Sequence, residues 1–185
     1  LPLNDAKRAM RLVRANAAAW KVDPACLGIM GFSAGGHLAS TVSTRFDLGD
    51  ASAQDPVDRQ SSRPDFAILC YPVITFQPPY AHMGSRNNLL GEDAPEELVQ
   101  SLCNHTQVTE QTPPTFLFHT ADDPGVPVQN SLLYFSALRE HNVPAELHVY
   151  EHGRHGVGLA PDMPELATWP GLCINWLRVR GILAK

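Results

Sequence analysis

Cys26-Leu27-Gly28-Ile29-Met30-Gly31-Phe32-Ser33-Ala34-Gly35-Gly36-His37-Leu38-Ala39-Ser40-Thr41-Val42 decides the fold of this chain. Cys26 to Met30 is short and apolar, as a buried strand is, and Leu38 to Val42 continues past a glycine-rich bend. Between them, Gly31-Phe32-Ser33-Ala34-Gly35 is a G-x-S-x-G string. Placed between strand and helix, it lifts a serine hydroxyl clear of a sheet on a strained turn. Bulky residues two places before or after the serine are expected to collide with strand or helix, which explains Gly31 and Gly35. The same turn aims the amide of Ala34 at the position where an oxyanion would form.

The elements on either side alternate. Asp5 to Trp20 reads as a helix, with Ala6, Met10, Val13, Ala17 and Trp20 at three- and four-residue steps and Asn4 or Asp5 as its cap. A helix from Ala34 to Arg45 follows the bend, and Phe46 to Pro64 is polar and turn-rich. Phe66 to Tyr71 is a second strand, stopped by Pro72. Residues 73–91 form a long excursion, with Tyr80, His82 and Met83, that either lines or covers the site beside the serine or packs over the sheet. A short helix over Glu96–Leu102, a strand over Thr115–His119, a helix over Val128–His141, a strand over Ala145–Tyr150 and a helix over Leu166–Arg180 complete the chain. Short apolar strands alternating with helices predict an α/β domain: a mostly parallel sheet, right-handed crossovers and helices on both faces.

Composition excludes several classes. The 185 residues suit one domain, 1–185, and the net charge of -5 offers no basic surface for nucleic acid or anionic membranes. The longest apolar run, Phe66 to Ile74, is too short to span a bilayer and contains a proline. Cys26, Cys70, Cys103 and Cys173 lie far apart with no CxxC pair; Cys26 and Cys70 fall in strand-like runs and Cys173 on a helix stripe, so all read as buried thiols.

A serine hydroxyl needs a base to take its proton and a carboxylate to hold that base in one tautomer. Two loops leave the carboxyl ends of later strands, the side where parallel sheets place their sites. The first is Ala121-Asp122-Asp123-Pro124-Gly125-Val126-Pro127. The second is Glu151-His152-Gly153-Arg154-His155-Gly156. Asp123, fifth in a His-x-x-x-Asp-x-x-Val-Pro string, is favoured as the acid over Asp122, which suits a turn or helix entry. His155, bracketed by Gly153 and Gly156, is favoured as the base over His152. His37 lies on the helix that follows the serine and reads as a packed or capping residue. His148-Val149-Tyr150-Glu151-His152 matches the zinc pattern H-x-x-E-H, but it falls on a strand, where residues four apart share no helical face. No metal or other cofactor is expected.

With these residues in place, the chain resembles the α/β-hydrolase superfamily, and within it the acetyl-xylan esterase, feruloyl-esterase-like and "xylanase B"-like carboxylesterases. The likeness runs through Gly31 to Ala39, Tyr71-Pro72-Val73-Ile74, Gly84 to Gly91, Thr112 to Phe116, His119 to Asp123 and Val126-Pro127-Val128. It implies Ser33, Asp123 and His155 as a triad, Ala34 as one oxyanion amide, and hydrolysis of short acyl esters, often acetyl groups on sugars. A serine peptidase of the same fold and a non-catalytic module are the alternatives. Export is expected if the substrate is a polysaccharide.

The chain departs from that group in two places. Its members carry several strands before the bend and a His-Gly-Gly type loop that completes the oxyanion hole. Here the sequence starts at the helix just ahead of the bend, so Cys26 to Met30 is expected to be a bare apolar edge strand. Such an edge pairs with another chain or aggregates, and the expectation is a homodimer through that edge, misfolding, or a preceding segment found elsewhere. The second departure is Pro124-Gly125, directly after Asp123.

Overall fold

A computed structural model describes residues 2–184. Four parallel strands lie in sequence order: β1 (Gly28–Phe32), β2 (Phe66–Cys70), β3 (Thr115–Thr120) and β4 (Ala145–Tyr150). The register sets Phe32 beside Cys70 and Cys70 beside Phe118, while Thr120 faces Tyr150. The carboxyl ends of all four strands therefore finish together, and the loops that leave them share one rim of the sheet.

Both faces of the two central strands are buried, as parallel strands require. Ile68, Cys70, Phe116 and Phe118 point to one face, where α7 (Trp169–Val179) packs Trp169, Cys173 and Trp176 against them. Leu69 and Leu117 point to the other face, against Ala39 of α3 (Ala34–Thr44) and Tyr134 and Leu138 of α6 (Gln129–Glu140). Phe118 stacks on Trp169 at 4.5 Å between ring centres. Truncating a buried phenylalanine of this kind costs about 3–5 kcal/mol.

The helix expected over Asp5–Trp20 is two pieces. α1 (Pro2–Ala15) starts earlier than its expected caps, and α2 (Ala17–Trp20) follows a break at Asn16, whose side-chain amide donates to the Leu12 carbonyl. The polar stretch after α3 is held against α1 by arginines. Arg8 reaches Asp55 and Asp58, Arg11 reaches Asp47, and Arg14 reaches Asp65 at 2.9 Å. Local sequence periodicity carries no sign of these pairs, which join residues far apart in the chain.

Strand β1 corrects the expectation of a buried strand over Cys26–Met30. It starts two residues later, runs into the G-x-S-x-G string, and its outer edge is unpaired among the described residues. Met30 is 46% exposed and Phe32 is 37% exposed, so neither is buried in the core. Cys26 lies before the strand, partly exposed, whereas Cys70, Cys103 and Cys173 are buried. Burial pushes the Cys173 thiol up to about 11.

The excursion after β2 starts as core. Val73 to Phe76 are fully buried, and the Asn130 side-chain carbonyl accepts from the amides of Ile74 and Thr75. It then forms α4 (Met83–Leu90), capped by His82, before α5 (Glu96–Ser101). No helix among the described residues is long and apolar enough to cross a membrane.

Candidate active site

Ser33 stands between β1 and α3 with φ +52° and ψ −120°, a left-handed conformation that a non-glycine residue adopts only under constraint. Three groups supply the constraint. The Ser33 amide donates to the Cys70 carbonyl at 3.0 Å, and the Ser33 carbonyl accepts from Val73 at 3.0 Å. Gly31 supplies the third, since a Cβ there would strike the Gly35 backbone. The Gly35 expectation needs correction, because a Cβ at that position meets open space among the described residues. Close packing instead falls on Gly36, whose added Cβ would lie 2.6 Å from the Pro72 side chain. Ala34 is the first residue of α3, where a backbone N–H has no intrahelical acceptor.

The hydroxyl of Ser33 donates to His155 Nε2 at 2.7 Å, and His155 Nδ1 donates to Asp123 Oδ2 at 2.7 Å. The line crosses the rim from the end of β1 to the loop after β4 and back to the loop after β3. The structure therefore brings Ser33, His155 and Asp123 into one hydrogen-bonded line, and Ala34 follows Ser33 at the start of α3.

Asp123 is buried and saturated with donors. Gly125 and Val126 amides donate to Oδ1 at 2.8 and 2.9 Å, and His119 Nε2 lies 3.4 Å from Oδ2. Burial alone would raise its pKa, but His119, His155 and the two amides outweigh it and hold the carboxyl well below the usual range. His119, fully buried, uses Nε2–H on the Val126 carbonyl at 2.9 Å and accepts from the Ser131 hydroxyl at Nδ1. That closes the 123–126 turn around the carboxylate. Pro124-Gly125 fits this turn. A Cβ on residue 125 would sit 3.0 Å from the His155 ring, so glycine is what lets the imidazole approach.

The rejected candidates have other partners. Asp122 accepts from His152 Nδ1 at 2.8 Å and from the Gly153 amide at 2.8 Å, on the exposed side of the rim. Thr120 Oγ1 donates to the Gly153 carbonyl, so residue 153 is held at both ends of its backbone. His148 lies on β4 and pairs with Glu146, away from His152. His37 donates from Nε2 to the Leu102 carbonyl and stacks on Phe76 at 4.4 Å. Burial lowers its pKa to about 4, so it is neutral at working pH. Sequence reading placed His119 and Tyr71 in motifs without assigning them a role and passed over Ser131; the Tyr71 ring lies 5.1 Å from that of His155.

Known proteins resemble this chain along most of its length. The BD-FAE family model matches residues 1–138. Endo-1,4-beta-xylanase B of Butyrivibrio fibrisolvens is 41% identical over 162 residues, which are 87% of this chain and 25% of that protein. An acetylxylan esterase of Xylanibacter ruminicola is 35% identical, over 85% of this chain and 31% of its own length. The chain thus spans a quarter to a third of these two relatives. The crystal structure of an acetyl ester-xyloside bifunctional hydrolase from Caldicellulosiruptor lactoaceticus superposes with a TM-score of 0.96 at 52% identity. That match covers 98% of this chain and 66% of the other, and the shared architecture is the α/β-hydrolase fold.

Proposed function

The chain belongs to the BD-FAE family, and we propose that it carries the nucleophile, base and acid of a serine carboxylesterase that removes short acyl groups, chiefly acetyl, from carbohydrate such as xylan. The observation that carries this reading is the unbroken Ser33–His155–Asp123 line, with both bonds at 2.7 Å. The names of the xylan-directed relatives support the choice of substrate.

Ser33 Oγ attacks the acyl carbonyl carbon as its proton passes to His155 Nε2. The carbonyl oxygen becomes an oxyanion and accepts from the Ala34 amide. Asp123 stays ionised and steadies the imidazolium through Nδ1–H. When the tetrahedral intermediate collapses, His155 returns the proton to the departing sugar oxygen, and an acyl-Ser33 ester remains. Water, deprotonated by His155, then attacks that ester, releasing the acid and restoring the hydroxyl.

The test is hydrolysis of acetylated xylo-oligosaccharide and p-nitrophenyl acetate against a prolyl-peptide anilide. Acetate release that vanishes in Ser33→Ala is expected. Cleavage of the anilide with no ester hydrolysis would turn the reading toward a peptidase, and inertness toward all three would refute catalysis by this chain.

A further inference from the structure

Tyr71 stands directly before Pro72, a position biased toward extended backbone, yet its φ is +36°. A non-glycine residue keeps such a conformation only where its surroundings over-determine it, and such residues cluster at functional sites. Its neighbours show what the turn achieves. The Cys70 carbonyl and the Val73 amide, on either side, both bond the backbone of Ser33, which α3 holds only through its own first-turn amides, Gly36 and His37. The Tyr71 amide donates to the Phe118 carbonyl at 2.8 Å, anchoring the hook to β3.

The side chain reaches the other half of the site. The ring is buried, edge-to-face with Phe118 at 5.4 Å and at 70° to the His155 imidazole at 5.1 Å. The hydroxyl accepts from the Gly158 amide at 3.0 Å, and the Gly158 carbonyl accepts from Trp169 Nε1 at 2.9 Å. Gly156 and Gly158 both have positive φ, so the segment after His155 has wide backbone freedom unless it is tethered. Tyr71 supplies one tether, beside Trp169 on the Gly158 carbonyl and Arg154 on the Gly156 carbonyl, and it alone also packs against the imidazole. Asp123 and Ser33 hold the ring nitrogens of His155, and Arg154 bonds its backbone carbonyl.

We propose that Tyr71 is a positioning residue for His155: its ring fixes the imidazole against the Ser33 hydroxyl, and its hydroxyl ties down the segment that carries it. This inference rests on His155 being the base of the proposed esterase. A tyrosine serving only as core packing would affect stability but not the order of the imidazole.

Two variants in the full chain separate these roles. Tyr71→Phe keeps the ring and loses the tether; its kcat is expected to fall about 3- to 10-fold with KM unchanged. Tyr71→Leu loses both, and its kcat is expected to fall about 100-fold, the scale of a 1 Å misplacement at a reacting centre. The second readout needs no activity: the downfield proton resonance of the His155 Nδ1–H bonded to Asp123. It should be sharp in the wild type and broadened by exchange in Tyr71→Leu while the remaining spectrum stays native. Wild-type kcat and a sharp resonance in a folded Tyr71→Leu would overturn the proposal. Should that variant fail to fold, the same result in Tyr71→Phe overturns it. If the wild type hydrolyses no ester, the resonance still reports whether Tyr71 orders His155, so the two failures are told apart.

Discussion

Asp122 and Asp123 are adjacent in sequence, and each holds a histidine of the same loop, at 2.8 and 2.7 Å. The bonds are nearly alike, but the surroundings are not. The Asp123 side chain is 1% exposed and its histidine 26%, against 51% and 72% for Asp122 and His152. Successive residues leave a strand end in opposite directions, so one aspartate turns into the rim and the other out to water. The inner carboxylate accepts from two backbone amides and from a histidine aimed at Ser33, with His119 Nε2 lying 3.4 Å away. The outer one pins the Gly153 amide and a solvated imidazole. Hydrogen-bond length therefore does not separate the two pairs; burial and direction do.

The comparison breaks first at the inner pair. Asp123→Asn should lower kcat/KM for p-nitrophenyl acetate about 10⁴-fold, the scale seen when a triad acid is neutralised. Asp122→Asn should lower it less than about tenfold. Equal losses in steady-state assays of the two variants would show that both pairs take part.

A third histidine sharpens the contrast, because His37 is buried without any carboxylate. Its pKa falls from an ordinary 6.5 to about 4, so the fold excludes its charged form. The unfolded chain therefore binds a proton first, and stability present above pH 6.5 is lost as pH falls toward 4. The loss amounts to about 3 kcal/mol at 1.36 kcal/mol per unit. Asp123, depressed below the usual range, adds a further loss below about pH 4 as its carboxylate is protonated. Urea unfolding at pH 7, 5.5 and 4 should show this decline, and His37→Gln should flatten it. An unchanged slope in that variant would contradict the assignment.

Gly125 tests the direction of the inner pair. Gly125→Ala places a methyl against His155 and should cost about 10- to 100-fold in kcat. Gly35→Ala should cost far less, since its Cβ meets nothing nearby. The smallest effect belongs to the outer pair: salt screens exposed charges. The melting temperatures of wild type and Asp122→Asn should converge as NaCl rises to about 1 M, while the Asp123→Asn difference persists.

The sequence made the order serine, acid, histidine legible because each stands at a strand exit marked by glycine, proline or a break in hydrophobicity. Gly31 is readable for the same reason, as a local steric demand. His155 could be preferred over His152 because two glycines bracket it. The stabilising contacts were not legible. The His119 bond to Val126, the Tyr71 hydroxyl on Gly158 and the arginines of α1 on the 47–65 segment join residues whose pairing exists only after the chain folds. The two-residue shift of β1 has a related cause. Asp65 bonds both backbone groups of Leu27, so the ladder begins at Gly28 opposite Phe66 rather than at Cys26. Exposure of β1 was foreseen only from the family comparison, since its composition is that of a central strand.

The central claim is that one hydroxyl in this chain is made nucleophilic by its neighbours. Labelling with a fluorophosphonate and mapping the adduct by mass spectrometry tests it most directly. A single adduct on Ser33, formed by the wild type and lost in His155→Ala, is the expected result. No adduct, or one that forms equally well without the imidazole, would contradict it.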